Sequence, residues 1–248
     1  MRSPIKNLKK TTNSISTIKD IIPKGSVVQA YPFYDGAIGF SLCESDRYVI
    51  GVTKSPVVHE FWNYVTKDAK KISVIADRLY PSLNENTFDL LRKSWYSYKD
   101  PYVRSALFFL LNRCSSLGMI THGELNTENY NPISINDLRT FSVTNFHTTL
   151  LPKEEEYSAP KDIDVNLFNA PDYYFDLLNT EQTIGLEESP FKHTKFLNDF
   201  DDKPSVFVYK IHPRLLKIKN YSKILLDQYG RQTTDAGQAK EIILHNVR

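Results

Sequence analysis

The sequence predicts an α/β fold: a doubly wound, mixed sheet of the nucleotide-binding type, interrupted by a helical insertion. Three observations predict it. An apolar run, a glycine-containing turn, a short helical stretch and a second apolar run open the chain; residues 57–112 then repeat apolar positions at helical spacing; and strand patterns return in the second half.

Residues 27–33 and 48–53 are short apolar runs bounded by Gly, Pro and Asp, which reads as buried parallel strands. Residues 36–44 between them read as a short helix, so the opening is a strand–turn–helix–strand unit. From there Phe61, Tyr64 and Val65, then Ile72, Ile75 and Leu79, then Phe88, Leu91 and Trp95, and finally Val103, Leu107, Leu110 and Leu111 recur near the 3.6-residue period. Asp100 is the expected N-cap of the last of these helices, with Pro101 just inside it. Residues 115–136, rich in Asn, Thr, Gly and Ser, read as a long loop. Strands are expected at 141–146 and 165–168, separated by a charged linker at 152–161 whose Lys153-Glu154-Glu155-Glu156 reads as solvated surface. A helix at 191–200, an alternating strand at 205–211, a strand or short helix within 214–226 and a terminal strand at 242–246 complete the pattern.

With 248 residues, 41% of them hydrophobic, the chain can bury the core of one large domain with an insertion, or of two. A formal charge of +2 argues neither for nor against nucleic acid, so any DNA contact must come from local patches. Cys43 and Cys114 lack the paired spacing of zinc or redox motifs and the six histidines are scattered singly, so no structural metal is expected. Two reduced, buried thiols point to a cytoplasmic setting. No apolar stretch reaches the roughly 18 residues of a membrane span, and the basic residues 1–10 are followed by polar ones rather than by a signal-peptide core. A bias toward Lys, Asn, Ile, Tyr and Phe fits an AT-rich genome such as a phage's, which would place the protein in a host cytoplasm or a virion.

A set of motifs then follows in order: Ser3-Pro4-Ile5; Tyr31-Pro32-Phe33-Tyr34-Asp35-Gly36-Ala37; Thr53-Lys54-Ser55-Pro56 followed by Phe61 and Trp62; Leu111-Asn112-Arg113; Gly118; Gly123-Glu124-Leu125-Asn126; Asn169-Ala170-Pro171-Asp172-Tyr173-Tyr174; and His193. This order resembles the Dam-like adenine-specific DNA methyltransferases over nearly the whole chain. That family carries a glutamate-proline-phenylalanine loop with glycines, a Leu-Asn-Arg followed by Gly-Glu-Phe-Asn, and an Asp-Pro-Pro-Tyr loop. The resemblance implies a Rossmann-like S-adenosylmethionine-dependent methyltransferase fold, with residues 1–60 and 139–248 as the core and 61–138 as a helical, target-recognition-like insertion.

It also implies a site. Asn169, Pro171 and Tyr173 stand at the catalytic loop, Pro32, Phe33, Asp35 and Gly36 at the cofactor loop, and Lys6, Lys9, Lys10, Arg113 and Asn126 toward double-stranded DNA. Adenine methylation is attack by an exocyclic amine on a sulfonium methyl, with the base flipped from the duplex, and the enzyme contributes position and polarity. Those contributions are altered here. Ala170 replaces a proline, Asp172 the stacking aromatic, and Tyr31 the acidic residue that begins the cofactor loop. The ribose-binding carboxylate falls at Val52 or Thr53, neither of which accepts two hydrogen bonds as a carboxylate does. The expectation is a catalytically impaired homologue serving as a DNA-binding or structural subunit, with DNA or a protein assembly as partner and no bound cofactor. The alternative is an active enzyme using S-adenosylmethionine with Asn169, Pro171 and Tyr173 in a shifted arrangement. A pocket for another ligand is a third reading. Lys203, Lys210, Arg214, Lys217, Lys219 and Lys223 read either as phosphate-contacting patches or as a solvated lysine-rich surface.

Overall fold

The computed structural model describes residues 2–6, 13–116, 123–169 and 193–247. It has two compact units, one of residues 1–8, 55–144 and 182–187, the other of residues 9–54, 145–181 and 188–248.

The second unit is built on an eight-stranded mixed sheet. Its strands are β1 (Val27–Tyr31), β2 (Tyr48–Thr53), β3 (Phe146–Leu150), β4 (Val165–Asn169), β5 (Ser205–Lys210), β6 (Ser222–Leu226), β7 (Gln232–Thr233) and β8 (Glu241–His245). They lie in the order β3-β2-β1-β4-β5-β8-β6-β7. The first five are parallel, and β8 runs antiparallel between β5 and β6. This is a Rossmann-like arrangement, in which strand order reverses beside β1. Central strands with both faces covered must be apolar throughout, and Val206, Phe207, Val208, Tyr209, Ile242, Ile243 and Leu244 are all fully buried.

Tyr31, Phe168 and Phe207 share a face of the sheet and carry an aromatic core completed by Tyr157, Leu197, Phe200 and Tyr221. Phe168 and Phe207 stack with ring centres 4.4 Å apart. In this unit α1 spans Ile15–Ile21, α2 Ala37–Cys43 and α7 His193–Asp199. Helix α1 is held by buried Arg47, whose guanidinium donates to the carbonyls of Lys19 (2.7 Å) and Ile22 (3.2 Å) at the helix end.

The first unit is helical: α3 (Pro56–Leu79), α4 (Glu85–Ser94), α5 (Pro101–Cys114) and α6 (Pro132–Arg139). Ser55 caps α3 by accepting the Val58 N–H, and Pro56 takes the first-turn position where no donor is needed. The ladder of α3 is interrupted at Asp68, whose carboxylate accepts the Lys71 N–H at 2.9 Å and so caps the helical segment that follows. Asp100 caps α5 as the sequence leads one to expect, accepting from Tyr102 N–H at 2.8 Å. The core of the unit is aromatic, with Phe61 against Phe108 (4.8 Å) and Trp62 against Phe141 (5.6 Å).

Three sequence expectations change. The strand placed at 141–146 runs from Phe146 to Leu150, because Phe141 is a core residue of the helical unit rather than a strand residue. The long loop at 115–136 contains a Ser115–Leu125 antiparallel bridge and gives way to α6, started by an Asn131–Ser134 capping box with Pro132 in the first turn. The charged linker is exposed along Lys153–Glu156 but turns inward at Tyr157, which is 8% exposed. Among the described residues no helix is long and apolar enough to cross a membrane.

Candidate functional site

In an open α/β sheet, ligands bind outside the carboxyl ends of the strands where strand order reverses. That place lies between β1 and β4, where Tyr31, the last residue of β1, is the register partner of Phe168, the residue before the end of β4. Pro32, Phe33, Asp35 and Gly36, the residues expected at a cofactor loop, follow β1, and Asn169 ends β4. The structure therefore places these five at or just beyond the carboxyl ends of β1 and β4. Pro171 and Tyr173, with Ala170 and Asp172, lie outside the described residues.

The loop after β1 is folded onto its own core. The Tyr31–Pro32 peptide is cis. The Phe33 N–H donates to the Val52 carbonyl at 2.9 Å, which ties the loop to β2. The Phe33 ring then lies over Gly51, where an added Cβ would stand 2.7 Å from it. Gly36 has φ 68°, and a Cβ there would meet Phe40 at 2.3 Å and Phe33 at 2.7 Å. Phe33 packs edge-on to Phe40 (5.7 Å) and tilted against Phe146 (5.1 Å). Gly36 and Gly51 thus make room for the protein's own rings. Asp35 is 4% exposed and accepts the N–H of Ala37, the first residue of α2, at 3.4 Å.

At the acidic position of the resembled loop, Tyr31 is 6% exposed and stacks on Tyr157 with ring centres 4.5 Å apart and planes 14° from parallel. Phe196 completes the contact at 5.8 Å. The Tyr157 hydroxyl donates to Asn166 Oδ1 at 3.1 Å, and burial followed by the neighbouring Tyr31 holds that phenol neutral. At the end of β2, Val52 and Thr53 are buried and the Thr53 carbonyl accepts the Leu151 N–H. Tyr157 escaped the sequence reading; its one signal is a lone aromatic residue within a charged run. His193, on α7, is buried with Nδ1 3.2 Å from the Tyr209 hydroxyl, and desolvation lowers its pKa to about 4.

The residues assigned to DNA fall in the helical unit, apart from Lys9 and Lys10, which lie outside the described residues. Lys6, Arg113 and Asn126 come together around the end of α5. The Lys6 N–H donates to Asn112 Oδ1 at 2.6 Å, and its ammonium reaches the Ser116 carbonyl at 3.1 Å. Arg113 donates to the carbonyls of Pro4 (2.6 Å) and Ser3 (3.3 Å), and burial lowers its pKa. The Asn126 N–H bonds to Cys114 O, and its side chain caps the turn at Thr127–Asn129. In the Gly-Glu-Leu-Asn run, Glu124 stands beside the Ser115–Leu125 bridge, its N–H donating to the Ser116 hydroxyl at 3.1 Å. The motif residues Asn112 and Arg113 thus clamp the N-terminal segment.

An open cavity of about 910 Å3 lies at the opposite, amino-terminal end of the strands, lined by Gly25, Asp164, Asp202, Lys203 and Asn246 among others. Its polar groups serve the fold: Asp164 accepts the Val27 N–H at 2.7 Å, and Asn246 accepts the Ser205 N–H at 2.6 Å. Among the described residues, no three His, Cys, Asp or Glu side chains converge as a metal site would require. The chain matches no family of known proteins, and no curated protein matches it in sequence.

Proposed function

We propose that this chain is a methyltransferase-like protein that no longer transfers methyl groups: an impaired homologue of the adenine-specific DNA methyltransferases, acting as a DNA-binding or assembly subunit in a cytoplasm or virion. The observation that carries the reading is the buried Tyr31–Tyr157 stack at the carboxyl end of β1. A donor site there needs a carboxylate facing the ligand. A phenol packed against a second phenol offers neither the charge nor the opening, and losing a charge-assisted hydrogen bond costs about 1.5–3 kcal/mol. The glycines of the loop point the same way, since Phe33 and Phe40 occupy the space that a missing Cβ would leave for a ligand. The mixed sheet, with antiparallel β8 between β5 and β6, is compatible with a Rossmann-like fold and so supports the reading at the level of fold.

Asn169 favours the second reading, that of an active DNA adenine methyltransferase. It stands at the tip of β4, where a side-chain carbonyl can accept a hydrogen bond from an amine. Titration calorimetry with S-adenosylmethionine, with a tritium-transfer assay on duplex DNA, decides between them. The proposal expects neither micromolar binding nor turnover; micromolar binding with methyl incorporation into adenine overturns it.

A further inference from the structure

Between Lys203 and Leu226 the chain carries Lys203, Lys210, Arg214, Lys217, Lys219 and Lys223 and no acidic residue. This stretch includes the connection from the end of β5 to the start of β6. Because β6 runs parallel to β5, the connection must return across the sheet from its carboxyl end to its amino end. It is pinned from within: Leu215 and Tyr221 are buried in the aromatic core, Ile211, Leu216 and Ile218 pack against it, and the Tyr221 hydroxyl donates to Leu197 O at 2.9 Å. Arg214, Lys217 and Lys219 between the pins, and Lys210 and Lys223 flanking them, are all exposed. Lys240 joins them, since its carbonyl accepts the Ile211 N–H at 2.9 Å.

We infer that this strap is a surface for the phosphodiester backbone of a nucleic acid, bound without regard to sequence. Inward apolar pins fix its path and leave the cations facing outward on a docked segment, and cations so placed neutralise phosphates and release their counterions. The nearby carboxylates set its limits. Glu241, paired in register with Lys210, is buried, hydrogen-bonded by Ser14 and close enough to Lys210 to offset part of its charge. Asp201 accepts from Asn220 at 3.2 Å, and burial followed by Asp201 and Asp202 raises the Tyr221 pKa, so these two carboxylates lie at the Asn220–Tyr221 end of the strap. An anionic membrane fits less well, because none of the large exposed hydrophobic side chains among the described residues falls within 210–223 to enter a lipid surface.

This inference rests on reading the chain as a nucleic-acid-binding protein, and the test separates the two. Fluorescence anisotropy with a labelled 20-base-pair duplex and a single strand of equal length is measured across about 50–200 mM salt. The wild-type protein is expected to bind at least one of them with a steep salt dependence. Lys217→Gln with Lys219→Gln should make the log–log slope shallower by about 1.8 and weaken binding roughly tenfold, while Lys24→Gln with Lys161→Gln should do neither. Wild-type binding that the strap variant leaves unchanged overturns this inference alone. No wild-type binding to either strand form, or binding only to phosphatidylserine vesicles, overturns both it and the nucleic-acid reading. Single substitutions at the same two lysines, checked by thermal melt, exclude a folding defect.

Discussion

Asn112 and Lys6 exchange two hydrogen bonds, the Lys6 N–H to Asn112 Oδ1 at 2.6 Å and the Asn112 side-chain amide to Lys6 O at 3.0 Å. A fully buried amide here completes the backbone of a segment that begins more than a hundred residues earlier. Asn112→Leu should destabilise the protein by about 2–3 kcal/mol, since it strands two backbone groups. Asn112→Asp should be at least as harmful, because it keeps one acceptor and sets a carboxylate against the Lys6 carbonyl. Urea denaturation midpoints measure both, and a loss below about 0.5 kcal/mol would refute the clamp.

Gly36 and Gly25 both hold positive φ, at 68° and 79°, but only Gly36 is crowded, with nothing within 4 Å of a Cβ at Gly25. Gly25→Ala should therefore cost only the left-handed penalty, about 1 kcal/mol. Gly36→Ala adds a clash with the Phe33 and Phe40 rings and should cost about 2–4 kcal/mol in total. Equal losses for the two variants would show that the rings give way freely.

Tyr157 contributes both a ring and a hydroxyl. Tyr157→Phe leaves the stack on Tyr31 but removes the 3.1 Å hydrogen bond to Asn166, a loss of about 1–2 kcal/mol. Tyr157→Ala empties the space beside Tyr31 and should cost about 3–5 kcal/mol. Near-neutral behaviour of the alanine variant in thermal melts would mean that the charged segment does not dock.

His193 makes stability depend on pH. Its folded pKa, about 4, lies below the ordinary 6.5, so the unfolded chain binds more protons between these values. Stability is full above about pH 6.5 and falls as the pH drops toward 4, by about 3 kcal/mol at most. His193→Gln should flatten that window in denaturation curves recorded at intervals of pH. A slope unchanged by the substitution would assign the effect to other groups.

Much of the fold is legible from local pattern. The apolar runs of β1, β2, β4, β5 and β8 and the helical period of α3 to α5 can be read directly, because burying both faces of a central strand or one face of a helix dictates those patterns. The edge strand β3 is half exposed, and Phe-His-Thr-Thr-Leu carries too little apolar signal to be found. Helix α1 does carry Ile15 and Ile18 at helical spacing, but it is short enough to be overlooked among polar neighbours.

By itself the sequence determined the central strands and the helices α3 to α5, and it placed Asn169 and the residues around Gly36 near strand ends, where a site belongs. Only the tertiary structure decided what those residues face. It seats Tyr157 on Tyr31, lays Phe33 over Gly51, turns Arg113 onto Pro4 and inserts β8 between β5 and β6. The reason is physical: periodicity records whether a side chain is buried, whereas its partners come from distant parts of the chain and are chosen by shape and hydrogen bonding once the elements pack.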